Sequence, residues 1–245
     1  MNNKKPIGIV VDEAADLPRE IIEKNEIGIV PLKADWPELN NFPGSNTFEK
    51  MREAENAGIK TFVRTSQPSA KDFIDVFEAQ LEKFEKIICI TITSKHSGTN
   101  NSAVQAKKFL GEKGDKILVI DSLNASAGLG LLVFKIIDLI EKGLSIEEIE
   151  KELLKNISIV QMRILLVDPK WLEASGRISG ALANWIRRFQ KMGVKPLLGL
   201  KEGRVGAVGI KFGAKDAVAT LFSELESKTK EQRSKGEKIK VAITH

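Results

Sequence analysis

Apolar residues in this chain fall into short uninterrupted runs separated by longer stretches with helical spacing. Ile7 to Val11, Ile27 to Leu32, Lys86 to Thr93 and Lys116 to Ile120 read as strands, dominated by Ile and Val. Between them the apolar positions recur every three to four residues. Asp16 is placed to N-cap a helix reaching about Glu26, with Pro18 in its first turn. Thr47 to Asn56 predicts a helix closed by Gly58. Ile74, Phe77, Leu81 and Phe84 mark the inner face of a helix over 69–84. Gly98 to Leu110 and Ala125 to Glu141 predict two more. Ser145 opens a further helix, with Glu148 three residues on as a capping box and Ile146, Ile149 and Leu153 facing inward. Asp35 to Asn46, with two prolines, a glycine and three asparagines, predicts loop. Strands that are apolar throughout and alternate with helices imply a parallel sheet covered on both faces.

The pattern changes near residue 160. Ser158 to Val167 predicts a strand, Asp168-Pro169 the start of a short helix, and Ser179 to Met192 a basic helix. Lys195 to Leu200 and Val205 to Phe212 flank Lys201-Glu202-Gly203-Arg204, a turn that predicts an antiparallel hairpin. A helix over 214–233 and a strand over Ile239 to Thr244 follow. The expected fold class is therefore α/β in two lobes: residues 1–160 with a mostly parallel sheet flanked by helices, and residues 161–245 as a smaller mixed lobe with the hairpin. A strand in such sheets normally leads into another element. Only His245 follows Thr244, so the polypeptide is expected to be incomplete.

Composition narrows the classes. Hydrophobic content is 42%, enough for a sizeable core. No run approaches the ~20 apolar residues of a membrane span; the closest, Leu129 to Ile140, is interrupted by Lys135 and Asp138. Met1 to Pro6 is polar and no secretory signal is evident. The single cysteine, Cys89, lies within Ile87-Ile88-Cys89-Ile90 and reads as a buried thiol in a reducing compartment. A cytoplasmic location is expected. The net charge of +5 is uneven: residues 161–245 hold 17 Lys and Arg against 8 Asp and Glu, and the rest holds 21 against 25. A basic second half suits an anionic ligand, an acidic partner or a membrane surface, or is simply a solvated lysine-rich surface.

Two histidines and one cysteine leave no metal motif, and there is no Walker loop. Gly128 and Gly130 fall inside an apolar helix and read as close helix packing rather than a dinucleotide loop. The informative feature is hydroxyl clustering at strand ends. Thr65-Ser66-Gln67-Pro68-Ser69 precedes a helix; Thr93-Ser94-Lys95-His96-Ser97-Gly98-Thr99 and Asp121-Ser122-Leu123-Asn124-Ala125-Ser126 each join a strand to a helix. Ligands of open parallel sheets bind outside the carboxyl ends of the strands. Hydroxyls and helix-start amides there form an anion site, which phosphate or carboxylate could fill. Ser69, Ser97 and Asn124 each also read as simple caps or turn residues. Ser97 has no histidine–carboxylate pair to activate it, so no catalytic residue is expected. His96 reads either as a proton donor or as an exposed loop residue. Arg177, in Glu173-Ala174-Ser175-Gly176-Arg177-Ile178-Ser179, either reaches an anion or caps the preceding helix.

At these same stretches the sequence resembles the DegV family of bacterial lipid-binding proteins. The matching pieces run in order: Ile7 to Asp12 with Ala15 to Pro18, Ile29 to Leu32, Thr65 to Ser69, Ser97 to Thr99, Asp121-Ser122, Ser126 to Gly130, and Ser175 to Ser179. The resemblance implies a two-lobe α/β fold holding one long-chain fatty acid of about 14 to 18 carbons, whose tail, at about 0.8 kcal/mol per CH₂, supplies most of the affinity. It further implies that Thr65, Ser66, Ser97 and Thr99 form the hydroxyl-rich carboxylate site. Gly98 adds a backbone N–H, and Arg177 brings positive charge at the lobe interface. No cofactor is implied. The implied partner is a fatty acid kinase that phosphorylates the bound carboxylate, with the Arg187, Arg188 and Lys191 face as a docking patch for it or for lipid headgroups in transient contact. Nucleic acid is not implied. Glu13-Ala14 stands where the family usually has Ser or Thr, so Glu13 must turn away from a bound carboxylate. A later His-Thr-Gly-Pro-Gly type segment of the family does not occur in this sequence. The competing classes are a stand-alone enzyme acting on a small phosphorylated or anionic metabolite at the same site, and an interaction protein whose basic half docks an acidic partner.

Overall fold

A computed structural model describes residues 4–35, 41–44, 47–59, 64–166, 169–212 and 216–244. The apolar runs become the strands of a four-stranded parallel sheet in the order β2-β1-β5-β6, where β1 is Lys5–Asp12, β2 Gly28–Val30, β5 Phe84–Thr91 and β6 Ile117–Asp121. Successive side chains of a strand point to opposite faces. Ile9 and Val11 of β1 and Ile88 and Ile90 of β5 therefore face one layer, made by α5 (Ser126–Glu141) and α6 (Ile146–Ile159) through Leu132, Val133, Ile136, Ile149 and Leu153. Val10, Ile87 and Cys89 face the other, made by α3 (Ala70–Lys83) and α4 (Thr99–Phe109) through Phe73, Phe77, Ala103 and Ala106. Both faces are covered, which is why these strands carry no polar alternation. Cys89 is fully buried, and burial pushes its thiol pKa well above the ordinary value.

The helix starts follow their caps. Ser69 and Asp72 form a capping box at α3, and Ser145 and Glu148 form the expected one at α6. Gly130 lets α5 approach a 3-10 turn at Glu13–Ala15: a Cβ there would stand 3.0 Å from the Ala15 carbonyl. The close-packing reading of this glycine holds.

A second, antiparallel sheet has the order β7-β8-β9, with β7 Ile164–Leu165, β8 Val194–Lys201 and β9 Arg204–Phe212. The predicted hairpin is β8–β9. Its two turn residues, Glu202 and Gly203, both have positive φ (50° and 78°), as a type I′ turn requires. A separate small core of Ile178, Ala183, Ile186 and Leu198 joins this sheet to α8 (Gly180–Lys191). α7 (Lys170–Ala174) precedes α8.

Several expectations are corrected. Residues 158 and 159 continue α6, because Ile157 is buried in the first core, and the strand that follows is only Ile164–Leu165. The helix expected over 214–233 is broken at Thr229 into α9 (Ala217–Lys228) and α10 (Lys230–Ser234), its first residues lying outside the described set. Ile239 to Thr244 has strand periodicity but is irregular and exposed, with no paired neighbour among the described residues. Lys33–Asp35 and Arg64–Ser66 form a two-stranded antiparallel pair, β3–β4, that short polar segments do not announce. α2 (Thr47–Asn56) falls where expected; α1 is Arg19–Lys24, but Asp16 does not cap it: Asp16, at φ 48°, closes the 3-10 turn Glu13–Ala15, and Pro18 stands at the start of α1 without a side-chain bond. The opening Asp168 of the helix before Arg177 and most of the loop expected over 35–46 lie outside the described residues.

Candidate functional site

The carboxyl ends of β1, β5 and β6 are knitted together by buried polar groups. Asp12, the last residue of β1, is fully buried; its Oδ1 accepts from Ala14 N at 3.1 Å and its Oδ2 from Ile92 N at 2.7 Å. The carboxyl thus fixes the end of β5 to the end of β1. Burial outweighs these two amide donors and raises its pKa to about 6. A carboxyl whose pKa is raised on folding contributes stability that is complete below its unfolded value and lost as pH rises through the folded one. The unfolding free energy is therefore expected to fall by on the order of 3 kcal/mol more in the native protein than in Asp12→Asn between about pH 4 and about pH 7. Parallel denaturation curves for the two proteins would contradict this.

The third hydroxyl cluster is engaged by its own loop and by the segments beside it. Ser122 Oγ donates to Asn124 O and accepts from Asn124 N, both at 3.0 Å, while Asn124 Nδ2 donates to Ser122 O. Asn124 O in turn accepts from Thr93 N at 2.8 Å. Asp121 accepts from Ser94 N and Leu123 N, and Ser126 Oγ donates to Asp16. Here the cap-and-turn reading is right. The backbone is strained nonetheless: Asp16, Leu123 and Ser126 all take positive φ on this edge.

The other two clusters meet. β4 carries Thr65 and Ser66 as exposed neighbours on opposite faces. Beyond it Gln67 packs against Gly98: a Cβ there would stand 1.8 Å from Gln67 Oε1, so only glycine leaves room for the amide, which also donates to Ser102 Oγ at 3.2 Å. Ser97 and Thr99 share a hydrogen bond between their hydroxyls at 2.7 Å, and Ser97 Oγ accepts from Thr99 N at 3.3 Å. Gly98 immediately precedes α4 and supplies no side-chain cap to it.

Arg177 reaches the same place from the other side. Gly176, at φ 70°, ends α7; its N–H donates to Glu173 O, and Arg177 N to Leu172 O. Ile178 is buried and Ser179 N-caps α8, accepting from Leu182 N at 3.2 Å. Every neighbour of Arg177 is thus occupied in shaping the turn, and its guanidinium donates from Nη2 to Thr65 Oγ1 at 3.0 Å. Half-buried His96, beside Ser97, lies within the field of Arg177 and Arg204; burial first, then these cations, lower its pKa. Its Nε2 accepts from Val205 N at 2.9 Å.

Of the six expected site residues, Thr65, Ser97, Gly98, Thr99 and Arg177 are gathered around Gln67 and His96, and Ser66 is turned to the far face of β4. Gln67 went unassigned although it sits in the motif that flagged its neighbours. Arg204, on β9 beside the hairpin turn, had no chemical signature. Glu13 is exposed and accepts from Leu32 N at 3.0 Å, so its carboxylate is engaged by the turn after β2. Arg187 pairs with Glu173, whereas Arg188 and Lys191 are exposed. No described helix is long and apolar enough to cross a membrane.

The comparisons with known proteins agree on one group. The model of a family described as an uncharacterised protein family, DegV, matches residues 6–245. A DegV domain-containing protein of Clostridium acetobutylicum is 34% identical over 241 residues, covering 92% of this chain and 80% of its own. Among solved structures, a fatty-acid-binding DegV family protein from Thermus thermophilus superposes with a TM-score of 0.71 at 30% identity, covering 91% of this chain and 77% of its own. A stearic-acid-binding protein from Eubacterium ventriosum does so with a TM-score of 0.75 at 27% identity, covering 94% and 78%.

Proposed function

The chain belongs to the DegV family, and from that premise we propose that it is a carrier that binds a long-chain fatty acid by its carboxylate between two lobes, residues 1–160 and 161–245. The observation that carries the reading is the meeting of Arg177 and Thr65, 112 residues apart, beside the Ser97-Gly98-Thr99 loop. A guanidinium, two hydroxyls and the start of α4 are the donors a carboxylate needs. Half-buried Leu17, Ile92 and Leu123 adjoin the first core at this edge and give the hydrocarbon an apolar entry. Relatives solved with this fold are described as binding fatty acids, stearic acid among them.

The same arrangement disfavours a stand-alone enzyme. His96 Nε2 already accepts from Val205 N, so Ser97 has no base beside it to make it a nucleophile. The chemistry on the bound carboxylate is then a partner's: a fatty acid kinase forming the acyl phosphate. Exposed Arg188 and Lys191 on α8 are the contact proposed for that kinase or, transiently, for an anionic membrane surface.

On the proposed reading, the purified protein is expected to show about one bound 14- to 18-carbon acid by native mass spectrometry and to release it on extraction, its tail held at about 0.8 kcal/mol per buried CH₂. Adding a fatty acid kinase and ATP should convert that acid to a hydroxylamine-trappable acyl phosphate. Delipidated protein that takes up neither palmitate nor oleate would end the carrier reading; loaded protein inert to the kinase would end the second step alone.

A further inference from the structure

Two hydrogen bonds hold the turn of the β8–β9 hairpin against the loop that follows β5. Thr93 Oγ1 donates to Gly203 O at 3.1 Å, and Val205 N donates to His96 Nε2 at 2.9 Å. The approach is close: a Cβ on Gly203 would stand 2.3 Å from Thr93 Oγ1 and 3.0 Å from Lys95 Cγ. We propose that His96 is a positioning residue, whose unprotonated Nε2 latches the hairpin of the second sheet onto residues 93–99 and so sets where Ser97 and Gly98 stand relative to Thr65 and Arg177. The inference rests on the carboxylate-site reading only in taking those groups as the ones that bind.

An imidazole nitrogen that accepts a hydrogen bond carries no proton, so His96 here is the neutral Nδ1–H tautomer. Protonating Nε2 would set two donors against each other and leave Val205 N–H without an acceptor. The charged groups around the ring favour the neutral form. Arg177 reaches it from the turn before α8 and Arg204 from β9, and both, after burial, lower its pKa. Lys95 adds a cation on the same loop, and the carboxylate of Asp121 is engaged by the amides of Ser94 and Leu123. One peptide bond separates His96 from Ser97, and Ser97 is locked to Thr99. Losing the Val205 bond leaves Thr93–Gly203 as the one of the two ties still holding this loop to the hairpin, so the hydroxyl pair is placed less firmly. This makes His96 neither the proton donor nor the exposed loop residue that its sequence position suggests.

The test compares the native chain, His96→Ala and His96→Gln by cis-parinaric acid fluorescence titration and by NMR exchange of the Val205 amide, each at about pH 7.5 and about pH 5, either side of the usual histidine range. His96→Ala is expected to weaken binding by about fivefold, the size of one net hydrogen bond, and to speed Val205 exchange. Gln offers an Oε1 acceptor, so His96→Gln should restore both at the higher pH. On acidification the native chain should lose more affinity than His96→Gln, the probe's own ionisation being common to both. The latch is refuted if His96→Ala binds as the native chain does, if His96→Gln rescues nothing, or if the two pH profiles coincide. It is also refuted if the native affinity rises relative to His96→Gln at low pH, which would make His96 a cationic ligand. Should none of the three bind the probe, the fatty acid reading falls, and Val205 exchange still decides the latch.

Discussion

Replacing Arg177 by alanine is expected to weaken fatty acid binding by about ten- to hundredfold, because a hydrogen bond to a charged group contributes about 1.5–3 kcal/mol and each 1.4 kcal/mol is tenfold. Three features support an effect at the upper end of what one side chain does. The guanidinium is held at Thr65 by a turn whose other residues are all committed: Gly176 to ending α7, Ile178 to the second core, Ser179 to capping α8. It reaches its target pre-organised, and little rotamer entropy is lost on binding. It is also the group that joins the two halves of the proposed site across 112 residues. Arg177→Lys keeps the charge but loses the planar fork, so its affinity should fall between the two. The loss should shrink in high salt, since part of it is Coulombic. Removing Arg177 also removes one of the cations that lower the His96 pKa, so the imidazole should titrate at a higher pH in the variant, which NMR reads directly. Unchanged affinity in Arg177→Ala would detach the carboxylate from this end of the site.

What the chain discloses by itself divides along physical lines. The parallel sheet and its covering helices are legible because burial on both faces demands unbroken apolar runs, and Ile87-Ile88-Cys89-Ile90 can serve nothing else. The β3–β4 pair is invisible for the opposite reason. Lys33-Ala34-Asp35 and Arg64-Thr65-Ser66 form no apolar run, and their pairing shows only when distant segments are brought together. Ile239, Val241 and Ile243 alternate as a strand should, yet periodicity states only which face a strand would present and cannot supply a neighbour to pair with.

The site follows the same rule. Its hydroxyls are visible as clusters at strand ends, but a cluster does not say whether its groups bind a ligand or one another. Ser122 and Asn124 bind one another, and Ser126 binds Asp16 and Thr244. The roles of Gln67 and His96 depend on Gly98 and Val205, the latter 109 residues away, and no local pattern encodes such a contact. The sequence around Arg177 reads as either capping or anion binding; in the fold its backbone N–H closes α7 while its side chain reaches Thr65, a placement that no local pattern encodes.

Phe77→Ala is expected to cost about 3–5 kcal/mol of stability, the range for truncating a buried aromatic. Phe77 is fully buried on α3, its ring 5.7 Å from that of Phe73, among Val10, Ile87 and Cys89 beneath the sheet. Against a total of about 5–15 kcal/mol this leaves a marginal fold. The lone cysteine offers a direct readout. In the native chain Cys89 is buried and its thiol is pushed above the ordinary pKa, so a disulfide reagent should react very slowly. In Phe77→Ala the reaction should accelerate as the population of open molecules rises with the lost stability. The two variants should therefore separate: Arg177→Ala should lower affinity while leaving Cys89 protected, and Phe77→Ala should expose Cys89 first, losing affinity only as the fold itself opens. If Phe77→Ala left both the denaturation midpoint and Cys89 reactivity as they are, the layer formed by α3 and α4 would not be what holds β4 and the loop after β5 in place. The proposed carboxylate site would then need another foundation.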